Sequence, residues 1–338
     1  MPAESVNVLV INSMPRVGSR PLSEDCMRQI TAVSPKVKLW DVTDLAHAEQ
    51  NGDFTAKEQF DALLADAEVI YGFSLPQNVL ARAPRLKWIQ AKLAGVNHIL
   101  DAEIVASPLI VTNTLGMHGT QASELVFWMM LTFAKQAQLC FQLKQEKQWQ
   151  PFVPALLSSK TVGILGLGSI GLEVARLAKA FGMRAVVVRV KHTMRSKYAD
   201  VILPPEQLRE LLSQSDFVVI ALPLTPETRG LIGEVELRAM KPTAYLINVA
   251  RGGIVAEEAL ISALSENWIA GAGLDVFATE PLPPDSKLWA LANLIITPHI
   301  AGRREDYDAL ANKQFCENLR RYLSGKQLLH IVDKKKGY

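Results

Sequence analysis

Short apolar runs recur along the chain, each bounded by turn residues and followed by a stretch with helical spacing. A first series predicts strands over residues 6–11, 37–40, 69–73, 88–92 and 110–113. A second series begins near Thr161 and predicts strands over 162–165, 184–188, 201–203, 217–221, 244–248 and 271–275. Apolar runs that alternate with helices imply parallel sheets covered by helices on both faces. Between the two series, one long helical pattern extends from about Thr120 to Lys147 and stops before Pro151 and Pro154, which marks an entry hinge. Over residues 304–323, Leu310, Phe315, Leu319 and Leu323 form the apolar stripe of another long helix. It follows the second series and is placed to cross back to the first. A cleft between the two domains, at the carboxyl ends of the strands, is then the expected ligand site.

Composition fits this picture without sharpening it. A chain of 338 residues has room for two domains, each with its own core. Hydrophobic residues are 49% and charged residues 21%, which is globular rather than disordered. A net charge of +2 gives no reason to expect a nucleic-acid or membrane partner, and Lys334, Lys335 and Lys336 read as a solvated terminus. Cys26, Cys140 and Cys316 show neither metal-ligand spacing nor a disulfide framework, so no metal is expected and a reducing cytoplasm is the expected location. The first residues carry no basic signal region, and the apolar stretch at 125–134 is far shorter than the roughly 20 residues a membrane span needs.

The most specific chemistry begins at residue 161. An apolar strand runs directly into Gly166, Gly168 and Gly171, in the spacing G-x-G-x-x-G, and residues 172–181 continue with helical periodicity. Gly166 permits the tight turn, Gly168 lets the backbone approach a pyrophosphate, and Gly171 lets the helix pack on the strand. The free amides and positive dipole end of that helix then face the phosphates. Eighteen residues after Gly171 stands Arg189, where a unit selective for NAD has an acid on the ribose hydroxyl. A guanidinium reverses that preference, because it pairs with a 2′-phosphate in a bidentate fork. Lys191, His192 and Arg195 follow with no carboxylate among them. The segment reads as an NADPH pocket, or else as a basic solvated loop.

Three further clusters follow strands of the second series. Arg251 lies in a glycine-bounded loop, Asp275 and Glu280 lie five residues apart after a strand, and His299 follows Pro298 ahead of Gly302. Singly, the Arg could cap a strand, the Glu could sit in a surface turn and the His could be a core residue. Together they supply what hydride transfer to a carbonyl needs. The Arg binds a carboxylate and polarises the keto oxygen, the His donates the proton, and the Glu orients the His and favours its protonated form.

With these segments in view, the chain resembles the D-isomer-specific 2-hydroxyacid dehydrogenase family over nearly its whole length, in the branch of glyoxylate and hydroxypyruvate reductases. The resemblance rests on the glycine motif and on residues 222–232 (LPLTPETRGLI), 248–253 (NVARGG), 274–281 (LDVFATEP) and 297–302 (TPHIAG). It implies an α/β architecture of two doubly wound parallel-sheet domains. A Rossmann cofactor domain, residues 118–298, is inserted into a flavodoxin-like substrate domain, residues 1–117 plus 299–338. It further implies Arg251, Glu280 and His299 as the catalytic trio, and Asp275 as the anchor of the nicotinamide carboxamide. Ser169 and Ile170 would lie on the pyrophosphate. Leu222, Pro223, Thr228 and Val249 would line the cofactor walls, with Arg189, Lys191, His299 and Gly302 also touching the cofactor.

In residues 93–98 (LAGVNH) the resemblance implies that the Gly95 and Val96 amides grip the substrate carboxylate, with Asn97 where the family commonly has Asp. Residues 113–116 and 122–124 resemble the approach to a long helix that in the family builds a dimer interface, so a homodimer is expected. Phe73, Leu93 and Trp289 are candidate pocket walls. Arg189 departs from the family pattern, as do residues 119–124 before Glu124, and as does Arg303, which either faces the substrate or is solvated. The expectation is an oxidoreductase that reduces a small 2-keto acid to a D-2-hydroxy acid, with NADP(H) preferred and NAD(H) admitted. The rival readings are a formate- or phosphite-type dehydrogenase, and a cofactor-sensing corepressor with little turnover. Formate oxidisers usually carry Gln in place of Glu280, and an intact trio weighs against lost turnover.

Overall fold

A computed structural model describes residues 5–14, 18–190 and 195–337. The chain divides into two compact units, Met1–Met117 with Arg304–Tyr338, and His118–Arg303. The second unit ends after Arg303, five residues beyond the boundary expected at 298. The amides of Ile300 and Ala301 are bound by Asp275, which keeps the His299 turn with the strands before it.

The first unit contains β1 (Val6–Ile11), a short hairpin of β2 (Ser13–Met14) and β3 (Gly18–Ser19), β4 (Val37–Asp41), β5 (Val69–Gly72), β6 (Trp88–Ala91) and β7 (Ile110–Thr112). Its five-stranded parallel sheet has the order β4-β1-β5-β6-β7. Leaving out the hairpin, that is the 2-1-3-4-5 order of flavodoxin-like folds. Residues 8–11 are wholly buried, as a strand covered on both faces requires. The helix Tyr307–Leu323 does return to this unit. Phe315 stacks on Tyr71 with ring centroids 4.1 Å apart, and Asn318 donates to Gln90 Oε1 at 3.0 Å.

The second unit contains β8 (Thr161–Leu165), β9 (Arg184–Val188), β10 (Val201–Leu203), β11 (Phe217–Ile220), β12 (Tyr245–Asn248), β13 (Gly271–Leu274) and β14 (Leu294–Ile296). All seven are parallel, in the order β10-β9-β8-β11-β12-β13-β14. This is the Rossmann order extended by one strand. The added strand β14 was not anticipated from the sequence, although β10, equally three residues long, was. The helical pattern over 120–147 is two helices rather than one, Gly119–Ala134 and Ala137–Gln145. The chain breaks at Gln136, whose φ of 52° lies in the left-handed region. No helix among the described residues is long and apolar enough to cross a membrane.

Candidate active site

The glycine turn has the geometry its spacing implies. Gly166 adopts φ +94°, and a Cβ there would lie 2.7 Å from the Ala221 carbonyl oxygen. A Cβ on Gly171 would collide with the Gly166 carbonyl, so only glycine allows this helix to leave this strand. Gly168 is different: a Cβ there would meet nothing within 4 Å, which leaves open space over the turn. The helix Ser169–Ala180 starts at that point with no side-chain cap on its first amides. Uncapped donors beside an open glycine backbone fit a pyrophosphate. The Leu222 side chain lies against Gly166, and the Thr228 hydroxyl ties its own loop by accepting from Thr225 N–H and donating to the Pro223 carbonyl. Val249 is buried beneath.

Arg189 stands one residue past β9. Leu165 is paired with Val188 and Gly166 N–H donates to the Val188 carbonyl at 2.9 Å, so register puts Arg189 beside the glycine turn at the carboxyl edge of the sheet. That edge is where a ribose 2′-substituent of a bound dinucleotide lies. Arg195 is exposed. Lys191 and His192 lie outside the described residues.

Arg251, Glu280 and His299 come together on one edge of the second unit. Asn248, at the end of β12, accepts from Ala250 N–H and donates to the Arg251 carbonyl, which fixes the Arg251 loop. A Cβ on Gly252 would overlap the Phe277 carbonyl group, so that loop packs directly on the Glu280 loop. Glu280 Oε1 accepts from Phe277 N–H at 3.0 Å, while Oε2 lies 2.7 Å from His299 Nδ1. Burial works to raise the Glu280 carboxyl. The hydrogen bonds from His299 and Phe277, with the charges of His299 and Arg251, outweigh it and hold the group below its ordinary value. Burial also pushes the Arg251 guanidinium down, and the charge of Glu280 offsets only part of this. The guanidinium donates to the preceding Ala250 carbonyl and forms no salt bridge among the described residues. A half-buried guanidinium with no carboxylate in salt-bridge contact is a ready anion site.

His299 itself has φ +53°, a left-handed conformation that a non-glycine residue adopts only when its surroundings impose it. Asp275 imposes it. Its carbonyl accepts the His299 amide at 2.9 Å, and its wholly buried carboxylate accepts from Thr297 Oγ1, Ile300 N–H and Ala301 N–H at 2.6–2.8 Å. The carboxylate thus has three internal partners that the sequence does not reveal. Asn248 and Thr297 likewise look like mere flanks of their motifs in sequence, although they hold the site in shape. A Cβ on Gly302 would come within 2.8 Å of the His118 ring, so a larger residue there would force the ring to move. Arg303 is exposed, and Trp289 is half exposed with its indole donating to the Pro283 carbonyl. Gly95, Val96, Phe73 and Leu93 belong to the first unit.

A pair of seven- and five-stranded doubly wound sheets carrying a dinucleotide turn and an Arg–Glu–His set defines a dinucleotide-dependent oxidoreductase fold. The comparisons agree. Residues 127–301 match the family model described as D-isomer specific 2-hydroxyacid dehydrogenase, NAD binding domain. A glyoxylate reductase of Thermococcus gammatolerans is 38% identical over 272 residues, covering 76% of this chain and 79% of its own length. One from Korarchaeum cryptofilum is 35% identical over 264 residues, with 76% and 79% covered. Among solved structures, a D-isomer specific 2-hydroxyacid dehydrogenase family protein of Aeromonas salmonicida aligns with a TM-score of 0.83 at 29% identity, over 98% of this chain and 100% of that one. The NADPH-dependent glyoxylate/hydroxypyruvate reductase of Sinorhizobium meliloti, in complex with NADP and sulfate, aligns with a TM-score of 0.82 at 26% identity over 99% and 100%. The chain belongs to the D-isomer-specific 2-hydroxyacid dehydrogenases.

Proposed function

We propose that the protein reduces a small 2-keto acid to the D-2-hydroxy acid, with NADPH as the preferred cofactor and NADH as a weaker one. The observation that carries this reading is the 2.7 Å contact of His299 with Glu280, on the same edge as a half-buried Arg251 that has no salt-bridge partner among the described residues. When bound, NADPH supplies the hydride that the carbonyl carbon takes up. His299 donates the proton that the carbonyl oxygen needs, and recovers it from solvent. Glu280 stays ionised, orients the imidazole and stabilises its charged form. Arg251 pairs with the substrate carboxylate and polarises the carbonyl, and the Gly95 and Val96 amides offer that carboxylate further donors. Asp275 Oδ2 accepts one internal amide, which leaves it a lone pair for the nicotinamide carboxamide.

Arg189 supports the NADPH preference, as do the NADP-bound relative from Sinorhizobium meliloti and a Xanthobacter autotrophicus relative solved with NADPH and MES. The names of the archaeal relatives point to glyoxylate, and hydroxypyruvate- and pyruvate-sized acids are of the same class. We also read the protein as a homodimer. Trp128, Phe141, Trp149, Val153 and Leu156 are exposed within one stretch of the second unit.

An initial-rate screen tests the reading by crossing glyoxylate, hydroxypyruvate and pyruvate with NADPH and NADH. NADPH should give the higher kcat/KM by about ten-fold, the scale of a charge-assisted bidentate contact. Arg189→Asp should erase or invert that ratio, and His299→Gln should abolish turnover with NADPH binding intact. No turnover of any keto acid, or identical kinetics with both cofactors before and after Arg189→Asp, overturns the corresponding part.

A further inference from the structure

In the first unit, β6 leads into a loop whose Lys92, Leu93 and Ala94 carbonyls are each bound by a protein donor. The Tyr307 hydroxyl donates to the Lys92 carbonyl. Thr114 N–H donates to the Leu93 carbonyl at 3.4 Å, and Asn113 Nδ2 donates to the Ala94 carbonyl at 2.7 Å. A trans peptide is planar, with its N–H pointing opposite its C=O. Each bond on a carbonyl therefore also aims the amide of the following residue. Tyr307 aims the Leu93 N–H, Thr114 the Ala94 N–H and Asn113 the Gly95 N–H. None of these amides, nor that of Val96, donates to a protein acceptor among the described residues. Successive unused amides facing one way form an anion-binding concavity.

The holders are themselves held. Asn113 is buried, its Oδ1 accepts from Leu115 N–H, and its backbone amide donates to the His330 carbonyl. Tyr307 is the first residue of its helix, and the next residue, Asp308, accepts from Lys92 Nζ at 2.7 Å. The Lys92 ammonium is wholly buried, donates also to Asn12 Oδ1 at 2.6 Å, and lies 4.7 Å from the centre of the Phe73 ring. A buried ammonium with two charge-assisted or polar acceptors and an aromatic face has little freedom to move. It pins the first turn of the helix, and with it the Tyr307 hydroxyl.

We propose that Tyr307 and Asn113 are positioning residues of the acid-binding loop. They set the Leu93, Ala94 and Gly95 amides, next to that of Val96, as a preformed cradle for a carboxylate, with the Lys92–Asp308 pair fixing Tyr307. This rests on the 2-keto acid reading for the identity of the ligand, but not for the existence of the cradle. The cradle contacts only the acid end of the ligand, which is the same in substrate and transition state. Loss of a positioning bond therefore raises KM and leaves kcat nearly unchanged.

The test is the binding of oxamate, an unreactive carboxylate probe, to the intact protein with saturating NADPH, followed by calorimetry, alongside steady-state kinetics. Tyr307→Phe removes only the hydroxyl. Asn113→Asp keeps the shape and sets an acceptor against the Ala94 carbonyl. Each should raise the oxamate Kd and the keto-acid KM by about five- to ten-fold, the worth of one buried hydrogen bond, with kcat and the NADPH Kd within about two-fold. An unchanged oxamate Kd in both variants overturns the proposal, as does a kcat that falls in step with the melting temperature while KM stays put. If Asn113→Asp does not fold, Tyr307→Phe decides alone. A wild-type protein that binds oxamate but reduces no keto acid sinks the functional reading and leaves the cradle standing; one that binds no oxamate sinks the cradle.

Discussion

Glu280 sets the pH behaviour of the site because one oxygen is held by the Phe277 amide and the other by His299. Its carboxyl lies below its ordinary value, because the His299 and Phe277 hydrogen bonds outweigh its burial, so it stays ionised throughout the neutral range. Glu280→Gln keeps a hydrogen-bonding group of the same shape and removes the charge. At neutral pH kcat for reduction should then fall by about 10²-fold, within the usual range for a lost acid–base partner, with the NADPH Kd unchanged. A kcat within about two-fold of wild type would show that the carboxylate does not act through the imidazole. The stability effect depends on pH. A depressed carboxyl stabilises the fold above its unfolded pKa of about 4.3 and loses that contribution as pH falls through the lower folded value. Wild type and Glu280→Gln should therefore converge in melting temperature only in acid. The trio was legible in sequence because each member lies in a short motif after a strand. The commitment of Asp275 to Thr297, Ile300 and Ala301 was not, since partners 22 to 26 residues away are fixed only by folding.

At the scale of the element, the strand–turn–helix around β8 separates cofactor binding from stability. Gly168→Ala places a methyl group in open space at a φ of −77°, which alanine adopts freely. The melting temperature of the apo protein should hardly change, while the NADPH Kd rises by at least about ten-fold if a pyrophosphate occupies that space. Gly171→Ala places the same methyl group on the Gly166 carbonyl oxygen, so the helix must shift. It should cost about 1–3 kcal/mol of stability, as overpacking does, and lower the melting temperature accordingly. Equal effects of the two changes on melting and binding would refute this division of labour. Run length alone did not decide which elements were legible: β14 was missed although β10, equally short, was anticipated. The break at Gln136 arises from a left-handed residue inside an unbroken helical pattern. Periodicity measures which face is apolar, and a helix that bends without changing faces leaves it intact.

At the scale of the whole molecule, the second unit is one continuous stretch of chain set within the first, and the sequence showed this through its two strand series and a final helix whose stripe had to find a sheet. The exposed apolar surface of the second unit was less visible, because exposure is not written in composition. Trp149 and Val153 are 96% and 90% exposed, and Trp128, Phe141 and Leu156 are largely exposed along the same stretch. Leaving such side chains in water forgoes about 1.5–3 kcal/mol apiece relative to burial. A two-fold interface would use each of them twice, because the same surface serves both partners. Light scattering should therefore give twice the chain mass of 37.2 kDa for wild type. Phe141→Glu combined with Trp149→Glu places four carboxylates into such an interface per dimer and should yield the monomer mass with an unchanged circular dichroism spectrum. A monomeric wild type, or a double variant that remains dimeric, would assign these side chains another role.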